Sequence, residues 1–101
     1  MRDEAIVRKI VHRICAEFGV SRRDIGMPGK ENFLRLMAIT LGGELLGLPR
    51  QALAKAFEGS LREVTLAPKR LGKYLRFIPG LRRRYEKLRR DLKKKLVDFD
   101  A

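Results

Sequence analysis

Ile6, Val7, Ile10, Val11, Ile14 and Phe18 recur at intervals of three and four, with Arg8, Lys9, Arg13 and Glu17 between them. This period predicts a first helix of about four turns. Asp3 and Glu4 suit the positive end of its dipole, and Gly19 follows Phe18 as a residue able to close a helix in the left-handed conformation. Ser21 to Asp24 reads as a short turn, and Ile25-Gly-Met-Pro-Gly29 as a connector. From about Lys30 to Leu46 the apolar set Phe33, Leu34, Met37, Ala38, Leu41 and Leu45, widened by Leu36, Ile39 and Leu46, predicts a central helix buried on nearly all sides. Gly42 and Gly43 within it would each cost about 1 kcal/mol against alanine, so they are expected to admit a close crossing by a neighbour.

Gly47-Leu48-Pro49 ends the central helix and opens another, whose inner face is Leu53, Ala54, Ala56 and Phe57. Glu58-Gly59 makes a turn, and Ser60-Leu-Arg-Glu63 has the order of a capping box, with serine at the N-cap and glutamate at N3. Helix, tight glycine turn, helix is the helix-turn-helix pattern. Pro68 leaves two readings of the second helix: one kinked element from Ser60, or a short turn over Ser60 to Leu66 with the true helix starting near Pro68, the reading favoured by the cost of an interior proline. That helix ends near Phe77. After Pro79-Gly80, Leu81, Tyr85, Leu88, Leu92 and Leu96 form the apolar stripe of a last helix over about 81–97. The whole is expected to be one all-α domain, residues 1–101, of five to six helices.

Charge changes this picture by its distribution. The net charge of +12 is concentrated in residues 69–95, which hold 13 basic and 2 acidic side chains, whereas residues 1–68 hold 11 and 8. Such a segment favours polyanionic partners. Lys69, Arg70, Lys73 and Arg76 decorate the helix after the glycine turn, and Arg82, Arg83 and Arg84 open the last one; these are candidate phosphate contacts. Ser60, Arg62, Glu63 and Thr65 supply the donors and acceptors at the start of the would-be reading helix, where Ser60 and Glu63 also serve as caps. Arg50 and Gln51, at the start of the preceding helix, complete the candidate DNA-binding set.

Enzymatic chemistry finds no footing. His12 and Cys15 are too few for a structural zinc site, and Glu17, Asp24 and Glu44 form no recognisable acid/base pair. Neither a phosphate-binding loop nor a nucleophile elbow is present, so no catalytic residue, cofactor, metal or small-molecule substrate is expected. A lone cysteine, a charged N-terminus and the lack of any long apolar run point to a cytoplasmic protein without a membrane span, associated with the nucleoid if it binds DNA. Duplex DNA is the expected partner. The alternatives are an acidic protein or an anionic membrane docking on the basic last helix, and RNA, for which only Tyr74, Phe77 and Tyr85 offer stacking surfaces near the charge.

Residues 35 to 57, from Arg-Leu-Met-Ala-Ile-Thr-Leu-Gly-Gly-Glu-Leu-Leu-Gly through Leu-Pro-Arg-Gln-Ala-Leu-Ala-Lys-Ala-Phe, resemble the C-terminal DNA-binding domain of the bacterial replication initiator DnaA. Ile10 to Val20 is similar to that family's opening helix and Phe-Gly-Val turn, and Arg82 to Leu92 to its terminal helix. The resemblance implies a Trp-repressor-like bundle, a minor-groove contact by Arg35 and a major-groove reader after Gly59. The family's Gly-Gly-Arg-Asp-His-Thr-Thr-Val signature stands here as Glu58-Gly-Ser-Leu-Arg-Glu-Val-Thr65, and Gly43 replaces a second-helix arginine. Recognition of the initiator's own DNA box is therefore not implied. The contexts the likeness suggests are replication, mobile-element or regulatory DNA.

Overall fold

The computed structural model describes residues 2–27 and 32–100, with side chains over 4–27 and 32–95. It is all-helical: α1 (Arg2–Phe18), α2 (Arg22–Gly26), α3 (Phe33–Leu46), α4 (Arg50–Ala56), α5 (Leu61–Phe77) and α6 (Leu81–Asp100), with no strand among the described residues. The expected helical bundle is therefore what forms. Pro28 and Gly29 of the expected connector, and Lys30, where the central helix was expected to start, lie outside the described residues. So does the side chain of Leu96.

The helix ends follow from local chemistry. Gly19, at φ 66°, lets the Val20 amide reach the Cys15 carbonyl at 3.2 Å and closes α1. Ser21 to Asp24, expected as a turn, instead starts a short helix. The Ser21 hydroxyl accepts from the Asp24 amide, and the Asp24 carboxylate accepts from the Ser21 amide at 3.0 Å, a complete capping box. Asn32 caps α3 by accepting from the Arg35 amide at 3.2 Å, and its amide group donates to the Asp24 and Met27 carbonyls, tying α2 to α3.

α3 occupies the centre, with Leu36, Met37, Ala38, Ile39 and Leu41 all buried, and packs on α1, α2, α4 and, most extensively, α5. The expected close crossing at the paired glycines is real. A Cβ at Gly42 would meet the Leu53 side chain at 2.8 Å, so α4 settles into the notch on α3. Ala56, assigned to the inner face of α4, is exposed; only Leu53 and Ala54 of that helix are buried, followed by Phe57 in the turn.

Pro68 does not divide α5. The helix runs unbroken from Leu61, with the Ser60 hydroxyl accepting from the Glu63 amide at 3.0 Å, so the start near Pro68 favoured by the sequence is overturned. An interior proline costs about 3 kcal/mol. Here the ring is exposed at the edge of the buried stripe of Val64, Ala67 and Leu71, so packing before and after the proline holds one continuous helix.

The last helix lays Leu81, Tyr85, Leu88 and Leu92 into the core. Acidic side chains then pin its flanks: Asp91 pairs with Arg13 of α1 at 3.0 Å, and Glu44 of α3 pairs with Arg89 at 3.0 Å. Tyr85 donates to Glu44 at 3.4 Å, and burial together with that carboxylate pushes its phenol well above the usual tyrosine range.

Candidate nucleic-acid interface

The exposed side of α5 carries Arg62, Thr65, Lys69, Lys73 and Arg76. Their separations of three and four place them on one stripe, opposite Val64, Ala67 and Leu71. No acidic residue occurs in the chain between Glu63 and Glu86, so this stripe is uniformly cationic. Arg70 is half-buried beside it. The Thr65 hydroxyl donates back to the Leu61 carbonyl at 2.8 Å, so it can accept from a ligand as it stands but must release that bond to donate to one.

The turn before α5 is built by a division of labour. Glu58, at φ 52°, takes the left-handed position usually given to glycine; its amide bonds the Lys55 carbonyl at 3.2 Å, and the Gly59 amide bonds the Ala54 carbonyl at 2.8 Å. Gly59 is needed for a different reason. A Cβ there would collide with the Glu63 carboxylate and come within 3.0 Å of Arg35 Nη2.

Those two side chains define the turn's interior. The side chain of Arg35 is 1% exposed and that of Glu63 15%, and their salt bridge spans 2.9 Å. Arg35 Nε also donates to both Glu63 oxygens, at 3.1 and 3.2 Å, while Nη1 donates to the Gly26 carbonyl at 2.9 Å and Nη2 to the Phe57 carbonyl at 2.6 Å. One guanidinium thus joins α3 to the end of α2, the α4–α5 turn and the first turn of α5. This corrects the expectation that Arg35 enters a DNA groove: its charge and most of its donors are spent inside the protein. It also corrects the role given to Glu63, whose carboxylate serves Arg35. Ser60 is occupied as the N-cap.

Arg50 and Gln51 are exposed at the start of α4. On α6, Arg82 and Arg83 are exposed, but Arg84 is drawn away from the expected cluster. Its guanidinium lies 4.2 Å from the Phe18 ring centroid and donates to the Glu17 carbonyl at 2.8 Å, fastening α6 to the end of α1. Beyond it, Lys87, Arg90 and Lys93 to Lys95 are exposed. A groove of about 680 Å³ between α1, α2 and α4 is lined by Val7, Val11 and Phe57 and by charges of both signs, Arg8, Arg22 and Lys55 with Glu4 and Glu58. Its mixed charge sets it apart from the cationic face of α5.

No cluster of three or more His, Cys, Asp or Glu that could hold a metal occurs among the described residues, and no helix there is long and apolar enough to cross a membrane. His12 is exposed, and burial pushes the Cys15 thiol up from its ordinary value. No protein-family model, curated protein or solved structure matches the chain.

The inward role of Arg35 had a signal in the sequence. It is the one charged residue within the Phe33 to Leu41 run, so a helix buried on nearly all sides had to take a cation with it. A buried cation requires a partner.

Proposed function

We propose that the chain is a DNA-binding module in which α4, the Phe57–Ser60 turn and α5 act as a helix-turn-helix and α6 adds backbone contacts. The observation that carries this reading is the acid-free stripe of Arg62, Lys69, Lys73 and Arg76 on the exposed side of the helix after the turn. Four cations along one rigid helix suit a row of phosphates. The Arg35–Glu63 lock supports the reading, because it holds the turn and the first turn of α5 to the core and so fixes the stripe's orientation. Arg50, Gln51, Arg82 and Arg83 extend the contact surface, and Arg62 and Thr65 are nearest the start of α5, where bases would be read. The likeness to the DnaA C-terminal domain belongs to the same proposal, without its minor-groove arginine. No catalytic step is assigned.

Burial of Leu81, Tyr85, Leu88 and Leu92 weighs against the membrane alternative, since α6 would have to leave the bundle to insert its apolar stripe. An acidic protein would compete for the same cations.

Anisotropy titration of a mixed-sequence duplex across about 50 to 200 mM salt tests the reading. Four phosphate contacts from α5 alone give a log–log salt slope of about −3.6, and Lys69→Ala should lower its magnitude by about 0.9. Absence of binding at low salt, or affinity indifferent to salt, overturns the proposal.

A further inference from the structure

Three aromatic side chains lie along the basic part of the chain, and the fold uses two of them. Tyr74 is half-buried, its ring centroid 5.7 Å from that of Phe33, and Tyr85 is 6% exposed in the core. Phe77 is 79% exposed, the most exposed of the large hydrophobic side chains described. Burying a phenylalanine is among the larger gains open to a small domain, and here that gain is left unused.

The setting of this ring narrows what it can meet. Phe77 is the last residue of α5, immediately before the Ile78–Gly80 corner that leads into α6. Arg76 precedes it, and Arg82 and Arg83 stand in the first turn of α6, all exposed. The nearest acids in sequence are Glu63 and Glu86. Among the described residues the other large exposed hydrophobic side chains are Met27, between α2 and α3, and Leu61, at the opposite end of α5 and about 24 Å along its axis. Among the described residues Phe77 is thus the one large hydrophobic side chain left mostly exposed at this corner, with Arg76 beside it in the chain and Arg82 and Arg83 just beyond. Protein docking and membrane insertion draw on contiguous apolar area. One flat apolar face with positive charges beside it matches one nucleotide, a base to stack and phosphates to neutralise.

Resting on the DNA-binding reading, we propose that Phe77 stacks on an unstacked base while Arg76, Arg82 and Arg83 hold the neighbouring phosphates. The chain then prefers DNA interrupted by a gap to continuous duplex. A continuous duplex must first be unstacked, at a cost comparable with what one ring returns, whereas a gap presents the base with that cost already met.

The test compares a duplex carrying 2-aminopurine beside a one-nucleotide gap with the continuous duplex of the same sequence. The wild type should bind the gapped DNA about tenfold more tightly and quench the probe. Phe77→Ala should bind both DNAs with the wild-type affinity for continuous duplex, and Phe77→Trp should keep the preference. Because the ring is exposed, both variants should melt as the wild type does. Equal wild-type affinities for the two DNAs, or a preference that survives Phe77→Ala, overturns the stacking role while leaving salt-dependent duplex binding intact. Failure to bind either DNA overturns the DNA-binding reading and this one with it. Binding to phosphatidylserine vesicles that is lost in Phe77→Ala, with no gap preference, would assign the ring to a membrane instead.

Discussion

Removing the Glu63 carboxylate should be among the most damaging single changes in this protein. In Glu63→Ala, Arg35 keeps its bonds to the Gly26 and Phe57 carbonyls but loses its counter-ion in a site where its own side chain is 1% exposed. Breaking a buried pair by deleting one partner costs about 3–5 kcal/mol. The 15% exposure of Glu63 admits some water and places the expectation near the lower end, about 3 kcal/mol. For a chain of 101 residues, whose total stability is of order 5–15 kcal/mol, that is a large fraction. Urea unfolding followed by far-ultraviolet circular dichroism reads it directly, as a midpoint shift of about 1–3 M for a slope of about 1–3 kcal/mol/M. The double variant Arg35→Met/Glu63→Leu removes both charges and leaves the two carbonyls without the guanidinium, at about 1–3 kcal/mol for each one stranded. Its cost should fall below the sum of the costs of Arg35→Met and Glu63→Leu, each made alone, by about 2–3 kcal/mol. A midpoint shift under about 0.5 M for Glu63→Ala, or strict additivity in the cycle, would refute the claim that this pair holds the turn.

Gly59→Ala should destabilise by about 1–3 kcal/mol, since the new methyl group displaces the Glu63 carboxylate, whereas Glu58→Gly should stabilise by about 0.5–1 kcal/mol by relieving a left-handed glutamate; if chemical denaturation ranks them the other way, the assignment of the two turn positions is wrong. Gly72→Ala, within α5 and with nothing within 4 Å of the added Cβ, should raise stability by about 1 kcal/mol, and a lowered melting temperature would show that the site is more crowded than described. The Ser21 amide and hydroxyl hold the Asp24 carboxyl below its ordinary value, so its contribution to stability is present at neutral pH and is lost as pH falls through and below the usual carboxylate range. Following Asp24 by carbon-detected NMR titration should show that depression partly diminished in Ser21→Ala, which keeps the amide and removes the hydroxyl; an unchanged titration midpoint would remove the hydroxyl as a cause.

Much of the scaffold can be read from local chemistry along the chain. The three-and-four spacing of Ile6 to Phe18 and of Leu81 to Leu92, the left-handed Gly19 and the serine cap at Ser60 need only neighbouring residues to act, and each appears where the pattern places it. The paired glycines also announced a close approach, though not that Leu53 would fill it. Lys69, Lys73 and Arg76 were legible as exposed cations of that helix, whereas Arg62 joins their stripe only because α5 runs through Pro68, and Arg70 is half-buried.

What tertiary structure alone decided were the partners of charged side chains and the fate of Pro68. Local rules make an interior proline a boundary, but packing on both sides of it carries α5 through. Arg35 and Glu63 are 28 positions apart, and Arg84 meets an α1 carbonyl 67 positions away. A cation's sequence neighbourhood says that it must find an acid or a carbonyl, but which one depends on how six helices cross. Hence the same residue type serves as a surface charge at Arg62 and Arg82 and as an internal tie at Arg35. Burial separates the two, and burial is a property of the packed bundle, not of the residue.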